Sequence, residues 1–221
     1  MTYLFEGSVR YEDSTGTTGV LREGGVEWFK VAHGAWHGGG PGDTGRTRGF
    51  QLWLALPPDE ELGAVENIYL SPDAVARDGP ARILVGHHGE AMSSLKAAGS
   101  LNYLAVRLRT GESWRYEPDI NHTVCWLALS AGQLLVPDTV EAGELAIFEP
   151  SNNPINIYAK ADADFVLGSA AAHTHDLVLG KYSVHTNAAT LRAGERRIDE
   201  IQQRLQNEGR LSVAPTTWKR V

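Results

Sequence analysis

Short apolar runs recur along the whole chain, and they restrict its fold more than any other feature of the sequence. Each run has about 5 to 7 residues and ends at a turn rich in glycine, proline or aspartate. The stretch VLREGGVEWF at residues 20–29 shows the pattern, with two such runs joined by a Gly-Gly turn. Strands of this length and spacing are typical of sandwiches and barrels. The sequence therefore predicts an all-β fold with short connections.

One supersecondary unit occurs in both halves of the chain. In the first half, Glu6-Gly7 leads to GVLREGGVEWF, and in the second half, Ala131-Gly132 leads to DTVEAGELAIF. Both stretches consist of a strand, a glycine, a second strand, a tight turn and a third strand. An internal repeat of this kind predicts two tandem barrels of similar plan.

The C-terminal segment has a helical pattern instead. Asn187 is a favourable N-cap for a helix that begins at Ala188, and Gly209 is expected to end it. Four apolar residues recur at helical spacing in this segment: Leu191, Ile198, Ile201 and Leu205. We expect the helix to pack across a barrel or against the other domain, with a dimer contact as the alternative. The tail at residues 212–221 is expected to be extended.

These patterns divide the chain into three parts. The first barrel is expected at residues 1–110 and ends at the turn around Thr110-Gly111, which separates two strand-like runs. The second barrel is expected at residues 111–186, and the helix and tail at residues 187–221. Each barrel would then be one domain.

Composition and charge exclude several classes of protein. The 221 residues carry a formal net charge of −7, which argues against direct nucleic acid binding, because phosphate contacts need a basic face. No stretch approaches the roughly 18 apolar residues of a membrane span, and residues 1–10 do not resemble a secretion signal. We therefore expect a cytoplasmic protein without membrane contact. The single cysteine, Cys125, excludes an intrachain disulfide and lies in an apolar run, which favours a buried, unreactive thiol.

A glycine-rich loop between two strand-like runs is the candidate site. It contains His33 and His37, four residues apart, and a β-barrel commonly places a binding site on loops at its mouth. The two imidazoles could hold a metal ion together, or His33 could be a polar loop residue that contacts backbone. Glu27, on the strand that leads into the loop, could supply a carboxylate ligand or could be a solvated hairpin residue.

Aromatic and basic residues surround this loop. Trp28, Trp36 and Trp53 could line a cavity in the first barrel, although aromatic residues at strand spacing more often belong to a core. Arg46 and Arg48 could hold an anionic substrate, although such residues are usually exposed. Both alternatives stay open for each group.

Several sequence segments together resemble one protein family. They are YLFEG, GGVEW, the later WH, RGFQLWLALP and the C-terminal HDLVLGKYSVHTNAATLRAGE. In composition and order they are similar to the pirins, which are two-domain cupins. The resemblance implies tandem cupin domains, each an antiparallel β-barrel or jelly roll, followed by a C-terminal α-helix.

The same resemblance implies a divalent transition metal of the iron type in the first barrel. Pirins hold it through an H-x-H pair and a later H-x-E, a ligand set that suits such an ion. His37 falls on the histidine of H-x-E, whereas Gly39 occupies the position of its glutamate. The family's H-x-H lies upstream of the YLFEG strand, and this sequence begins at Met1, directly before that strand. We therefore expect a shortened form of a longer protein that lacks most of the ligand set.

Two functions follow as expectations. Resemblance to the pirins implies a metal-dependent dioxygenase of the quercetin 2,3-dioxygenase type, with His37 as a metal ligand and a small aromatic substrate near Trp28, Trp36 and Arg48. The family also includes transcriptional cofactors, which implies a binding or regulatory protein without catalysis. For the chain as given we favour the second, because one histidine does not hold iron against water. We also expect that an open edge of the first barrel causes poor solubility or pairs with a second copy to form a homodimer.

Overall fold

The structure, a computed structural model, describes residues 1–43 and 45–211, so the tail at residues 212–221 lies outside it. Twenty-one strands and a single α-helix follow one another in this part of the chain. The strands are β1 Thr2–Glu6, β2 Ser8–Asp13, β3 Thr18–Arg22, β4 Val26–Lys30, β5 His37–Pro41, β6 Arg48–Gln51, β7 Glu66–Leu70, β8 Arg77–Asp78, β9 Ala81–Val85, β10 His87–His88, β11 Ala91–Met92, β12 Leu101–Leu108, β13 Ser113–Tyr116, β14 Val124–Ala131, β15 Gln133–Val136, β16 Asp138–Glu141, β17 Leu145–Phe148, β18 Ile155–Ala159, β19 Ala163–Ala170, β20 Val178–Leu179 and β21 Val184–His185. The helix, α1, spans Ala188–Asn207, and a 3₁₀ turn spans Pro72–Ala74.

Four antiparallel sheets form the body of the protein. Sheet I has the order β6-β1-β4-β7, and sheet II has the order β3-β2-β5. Sheet III has six strands in the order β17-β14-β19-β12-β9-β8, and sheet IV has the order β13-β18-β15-β16. β10 pairs with β11, and β20 with β21. The prediction of an all-β fold with a C-terminal helix is confirmed.

Sheet III serves two hydrophobic cores, one on each face. Because side chains alternate along a strand, Leu104 and Val106 of β12 enter the core between sheets III and IV, whereas Tyr103 and Ala105 enter the core between sheets I and III. The expected domain boundary at residue 110 falls between β12 and β13, so sheet III combines strands from both sides of it. The domain limits themselves stay a prediction.

Helix α1 begins and ends where the sequence predicts. The side chain of Asn187 accepts hydrogen bonds from the amides of Ala189 and Thr190 at 2.9 and 3.0 Å, which satisfies donors that the first turn leaves free. Beyond the last turn, Gly209 has a φ of 70°, the left-handed conformation that glycine tolerates best. The helix packs against the first barrel, where Arg204 donates to the carbonyl of Ser14 at 3.0 Å. Its buried residues are Leu191, Gly194, Ile201 and Leu205.

Two segments of the first barrel differ from the sequence prediction. The stretch predicted as a glycine-rich loop contains β5, His37–Pro41, which pairs along β2 with Asp13 opposite His37. Backbone hydrogen bonds form this pairing, and the glycines of β5 leave no side-chain pattern to reveal it. The apolar run that follows this stretch, residues 49–56, forms a strand only as far as Gln51, where its pairing with β1 ends. β1 itself is paired on both sides, so the edges of sheet I are β6 and β7.

Candidate functional site

A row of polar side chains crosses sheet I on the face turned toward sheet II. Glu27 of β4 lies directly opposite Thr2 of β1 and Tyr69 of β7, so the three side chains share one face. The Thr2 hydroxyl donates to Glu27 Oε2 at 2.6 Å, and the Tyr69 hydroxyl donates to Oε1 at 3.2 Å. The carboxylate is thereby held on both oxygens.

His37 reaches this carboxylate from sheet II. Its Nδ1 lies 3.3 Å from Glu27 Oε1, and the Phe29 ring lies 5.2 Å from the imidazole between centroids. An ionised carboxylate can only accept, so Nδ1 is the nitrogen that donates and Nε2 is left as the acceptor of a neutral imidazole. The His37 side chain is 40% exposed, whereas that of Glu27 is only 8% exposed. Glu27 therefore orients a histidine that a ligand can approach.

The electrostatics of this pair favour an ionised carboxylate. Burial alone would raise the pKa of Glu27, but hydrogen bonds from His37 and Thr2 outweigh it, and the pKa is lowered. Burial also raises the pKa of the neighbouring Tyr69, so its phenol stays protonated and continues to donate. Glu27 therefore contributes a buried negative charge to the site near neutral pH.

A second set of contacts fixes the space between sheets I and II. The rings of Tyr11 and Tyr69 stack with centroids 3.6 Å apart. Asn67 donates to the buried carboxylate of Asp13, which also accepts from the Thr15 amide at 2.7 Å. The Asn67 carbonyl oxygen is buried and has no hydrogen-bond partner within residues 1–43 and 45–211. These contacts hold the walls of the site rigid and leave one acceptor free.

The two predicted metal ligands, His33 and His37, lie in different local structures. His33 lies in a turn closed by the Gly34 amide and the Val31 carbonyl at 2.9 Å. A side chain at Gly34 would come within 3.3 Å of Arg197 and Ile198, so this turn lies against α1. His37 lies instead in β5 beside Glu27. In the part of the chain that the structure describes, no hydrogen bond or ring contact joins the two histidines.

The two tryptophans predicted to contact a substrate, Trp28 and Trp36, lie in different surroundings. Trp28 follows Glu27 in β4, so it faces the opposite way and packs in the core between sheets I and III. Trp36 immediately precedes β5, and its amide donates to the Ser14 hydroxyl at 3.0 Å. Both indole N–H groups are buried without a hydrogen-bond partner among the described residues. Strand alternation therefore separates Trp28 from His37, and a substrate contact for either tryptophan stays a prediction.

Arg48, the third predicted pocket residue, connects sheet I to sheet III. Its guanidinium lies 2.5 Å from Asp164 and donates to the Ser130 hydroxyl at 2.9 Å. It also lies over the Phe5 ring, 5.6 Å from the centroid. Among the described residues no hydrogen bond or ion pair joins Arg48 to His37, and its role in substrate binding stays a prediction.

Glu27 is the carboxylate that contacts His37 in the described part of the chain. Gly39, at the position of the family's glutamate, lies opposite Tyr11 in the β2–β5 pair and has no side chain to offer. Within the described ranges, no three His, Cys, Asp or Glu side chains are grouped so that they could hold a metal ion. Glu27 and His37 supply one carboxylate and one imidazole, where a transition-metal site commonly takes three or more protein ligands. The sequence indicates Glu27 as a candidate ligand. It does not predict the partners Thr2 and Tyr69, because their contact with Glu27 depends on strand register.

Comparison with known proteins agrees with the family resemblance. Residues 1–54 match the family model described as Pirin. A pirin-like protein of Caulobacter vibrioides is 31% identical over 176 residues, which cover 76% of this chain and 63% of that protein. The chain is related to the pirins. It spans less than two thirds of the length of this pirin relative.

Two further comparisons concern quercetin dioxygenases. A Pseudomonas aeruginosa protein provisionally named a quercetin 2,3-dioxygenase is 41% identical over 78 residues, 35% of this chain and 27% of that protein. The solved structure of a quercetin 2,3-dioxygenase from Acinetobacter baumannii superposes with a TM-score of 0.77 at 18% identity, covering 96% of this chain and 76% of that one. At this identity the superposition shows the fold alone, which is the tandem cupin fold of the pirins.

Proposed function

We propose that this chain is a pirin-like bicupin protein that binds a small ligand in its first barrel and has a binding or regulatory role. The observation that carries the proposal is the Glu27–His37 pair, with Nδ1 3.3 Å from the carboxylate. Glu27 is already engaged by Thr2 and Tyr69, so it serves to orient the imidazole. In this proposal the metal site of the family is degenerate.

The ligand that suits this site is small and aromatic, with a hydroxyl group. Nε2 of a neutral His37 accepts a hydrogen bond, and a phenolic hydroxyl donates one. The stacked rings of Tyr11 and Tyr69 and the nearby Phe29 ring supply an apolar surface beside the polar groups. The buried charge of Glu27 keeps the proton on Nδ1 and leaves Nε2 free.

Elemental analysis together with a turnover assay tests the proposal. The purified full chain is dialysed against iron, nickel or manganese, freed of loosely bound ions, analysed for metal and incubated with quercetin in air. We expect substoichiometric metal and no consumption of quercetin beyond the protein-free rate. One tightly held metal ion per chain, or metal-dependent quercetin cleavage, would overturn it.

A second candidate function is a quercetin 2,3-dioxygenase. The similarity to the Pseudomonas aeruginosa protein favours it, because 78 residues of this chain are 41% identical to that protein. Residues of this chain would orient and deprotonate the substrate hydroxyl, with His37 as the acceptor and Glu27 as its positioning partner. Loss of metal-dependent turnover in His37→Ala, with retained folding, would support this function over the first.

Location and assembly belong to the same proposal. No helix among the described residues is long and apolar enough to cross a membrane. We propose a cytoplasmic location, and the net charge of −7 argues against direct nucleic acid contact. A homodimer would form through an edge strand of sheet I, β6 or β7. Size-exclusion chromatography with light scattering measures that state directly.

A further inference from the structure

A cavity opens at one end of the second barrel, between sheets III and IV. It has a volume of about 250 Å³. The side chains that line it include His87, His88, Asn102, Arg115, Tyr116, Glu117 and Asp119. None of them belongs to the site around His37, so this cavity needs a separate explanation.

The floor of the cavity is a buried polar network at the end of an apolar core. Asn102, Ser169 and Cys125 lie opposite one another on β12, β19 and β14. The Ser169 hydroxyl lies 2.6 Å from the Tyr116 hydroxyl and 2.7 Å from His122 Nδ1. Asn102, Tyr116, His122 and Ser169 are each at most 2% exposed. A network that is satisfied in this way is rigid, and it gives the cavity a preorganised wall.

Asp119 is the group on which this network converges. Its Oδ2 lies 3.0 Å from His87 Nε2, 3.4 Å from Asn102 Nδ2 and 3.6 Å from His122 Nε2. The Asp119 side chain is 33% exposed at the cavity. All three neighbours are uncharged when the imidazoles are neutral, so the carboxylate has no permanent counter-ion among them.

The rim of the cavity has the same imbalance of charge. Arg115 is paired with Glu117, with 2.8 Å between nitrogen and oxygen. His88 Nδ1 lies 2.9 Å from Asp78 Oδ2, a second carboxylate whose partner is an imidazole. The lining therefore carries two carboxylates, Glu117 and Asp119, against the Arg115 guanidinium, and Asp78 adds a third carboxylate next to His88, so the charge is negative when the imidazoles are neutral.

We propose that this cavity binds a small organic cation, such as a primary ammonium group, with Asp119 as its counter-ion. This site is separate from the ligand site proposed in the first barrel. The cation proposal does not depend on the function proposed for that barrel. An ammonium group has three donors and no acceptor, which matches a carboxylate that accepts. Charge-assisted hydrogen bonds of this kind are stronger than neutral ones. A volume of about 250 Å³ suits a molecule of only a few carbon atoms.

Binding is expected to weaken as the pH falls. Protonated His87 would become an internal counter-ion for Asp119 and compete with the ligand. The other ionisable groups that face this pair are His122 below it, His88 with Asp78 on the side of β10, and Arg115 with Glu117 on the rim. Protonation of His87 or His88 reduces the negative charge, so all of these changes act in the same direction.

Titration of the full chain with propylammonium chloride, followed by NMR of the histidine and tryptophan side chains, tests the proposal. We expect saturable shifts at His87 and His88 above neutral pH, with affinity about tenfold weaker once the imidazoles are protonated. Sodium acetate and glycerol serve as an anionic and a neutral probe at matched ionic strength. Equal or tighter binding of either probe, or no saturable shift with propylammonium, would overturn the proposal.

Variants locate the binding group. Asp119→Asn should weaken propylammonium binding about tenfold, because the charge is lost while the shape is kept. Asp138→Asn makes the same chemical change at an exposed position of β16 that does not line the cavity, and it is the matched control, with little expected change. Equal effects of the two variants would contradict the assignment to Asp119. If Asp119→Asn does not fold, the comparison of the three probes on the unmodified chain still decides the question.

Discussion

Arg48 and Asp164 form an ion pair between sheet I and sheet III, with Nη2 2.5 Å from Oδ2 although 116 residues separate them in sequence. Asp164 also pairs with Arg107 at 3.1 Å, and the two guanidinium groups lie over the same Phe5 ring. The pair thus joins the first barrel to the second at one point. Most of each side chain is buried there, at 21% and 17% exposure.

Replacement of Arg48 by alanine should destabilise the protein. The change leaves a mostly buried carboxylate with one guanidinium fewer, and we expect the free energy of unfolding to fall by about 2 kcal/mol. Arg46→Ala is the matched control, because Arg46 is 75% exposed and lies 3.8 Å from Glu6. Urea denaturation measures both. A similar loss of stability in the two variants would show that the contact with Asp164 stabilises the protein no more than an exposed ion pair does.

Glu27→Gln should lower the free energy of unfolding by an amount that depends on pH. The pKa of Glu27 is lowered in the folded protein from its ordinary value of 4.5, so its ionised form contributes stability that is present above that value and is lost as the pH falls through the folded pKa. We expect the variant to be about 2 kcal/mol less stable near neutral pH and to approach the wild type in acid. Thermal unfolding at a series of pH values measures this difference.

Glu66→Gln provides the control for that series. Glu66 lies on the neighbouring strand β7, is 45% exposed and is 3.8 Å from Lys30. It should change stability little at any pH, because exposed ion pairs contribute little. If the difference between wild type and Glu27→Gln were constant across the acid range, the ionised carboxylate would not be the source of the stability.

Cys125 should resist thiol reagents as long as the protein is folded. Burial raises the pKa of its thiol to about 12, so almost no thiolate is present in weakly alkaline buffer. We expect Ellman's reagent to modify the native protein only on the timescale of unfolding and the denatured protein at once. Rapid stoichiometric modification of the native chain would mean that sheet III opens locally around this residue.

Asn187→Ala should destabilise helix α1. The side chain satisfies two amides of the first turn, and loss of such a cap costs about 1 kcal/mol. Asn187→Asp retains an acceptor at the same position and should preserve stability, which circular dichroism during denaturation can test. Equal losses in the two variants would argue that the cap is not the cause.

Local patterns account for the part of the fold that the sequence predicts well. The turn between β3 and β4 follows from its Gly-Gly pair, although the two strands belong to different sheets, and α1 follows from the Asn187 cap and the spacing of its apolar residues. β5 has no comparable pattern, because three of its five residues are glycine. Its strand conformation comes from pairing with β2, which is a tertiary effect.

The candidate site depends even more on contacts distant in sequence. The sequence marks His37 and allows Glu27 as a neighbour, but Thr2 and Tyr69 join Glu27 only through the register of three strands. A shift of one residue would turn each side chain to the other face of the sheet. The same rule explains Trp28, which is adjacent to Glu27 in sequence and packs on the opposite side.

The two faces of sheet III also determine how the protein can be divided. Duplicated barrels are often treated as independent modules. In this chain, a cut after residue 110 would separate β12 from β14 and β19. Leu104 and Val106 would then lose their packing partners. Neither fragment would retain both cores. The chain should therefore unfold in one cooperative transition, and truncation or domain exchange should respect sheet III as a single unit.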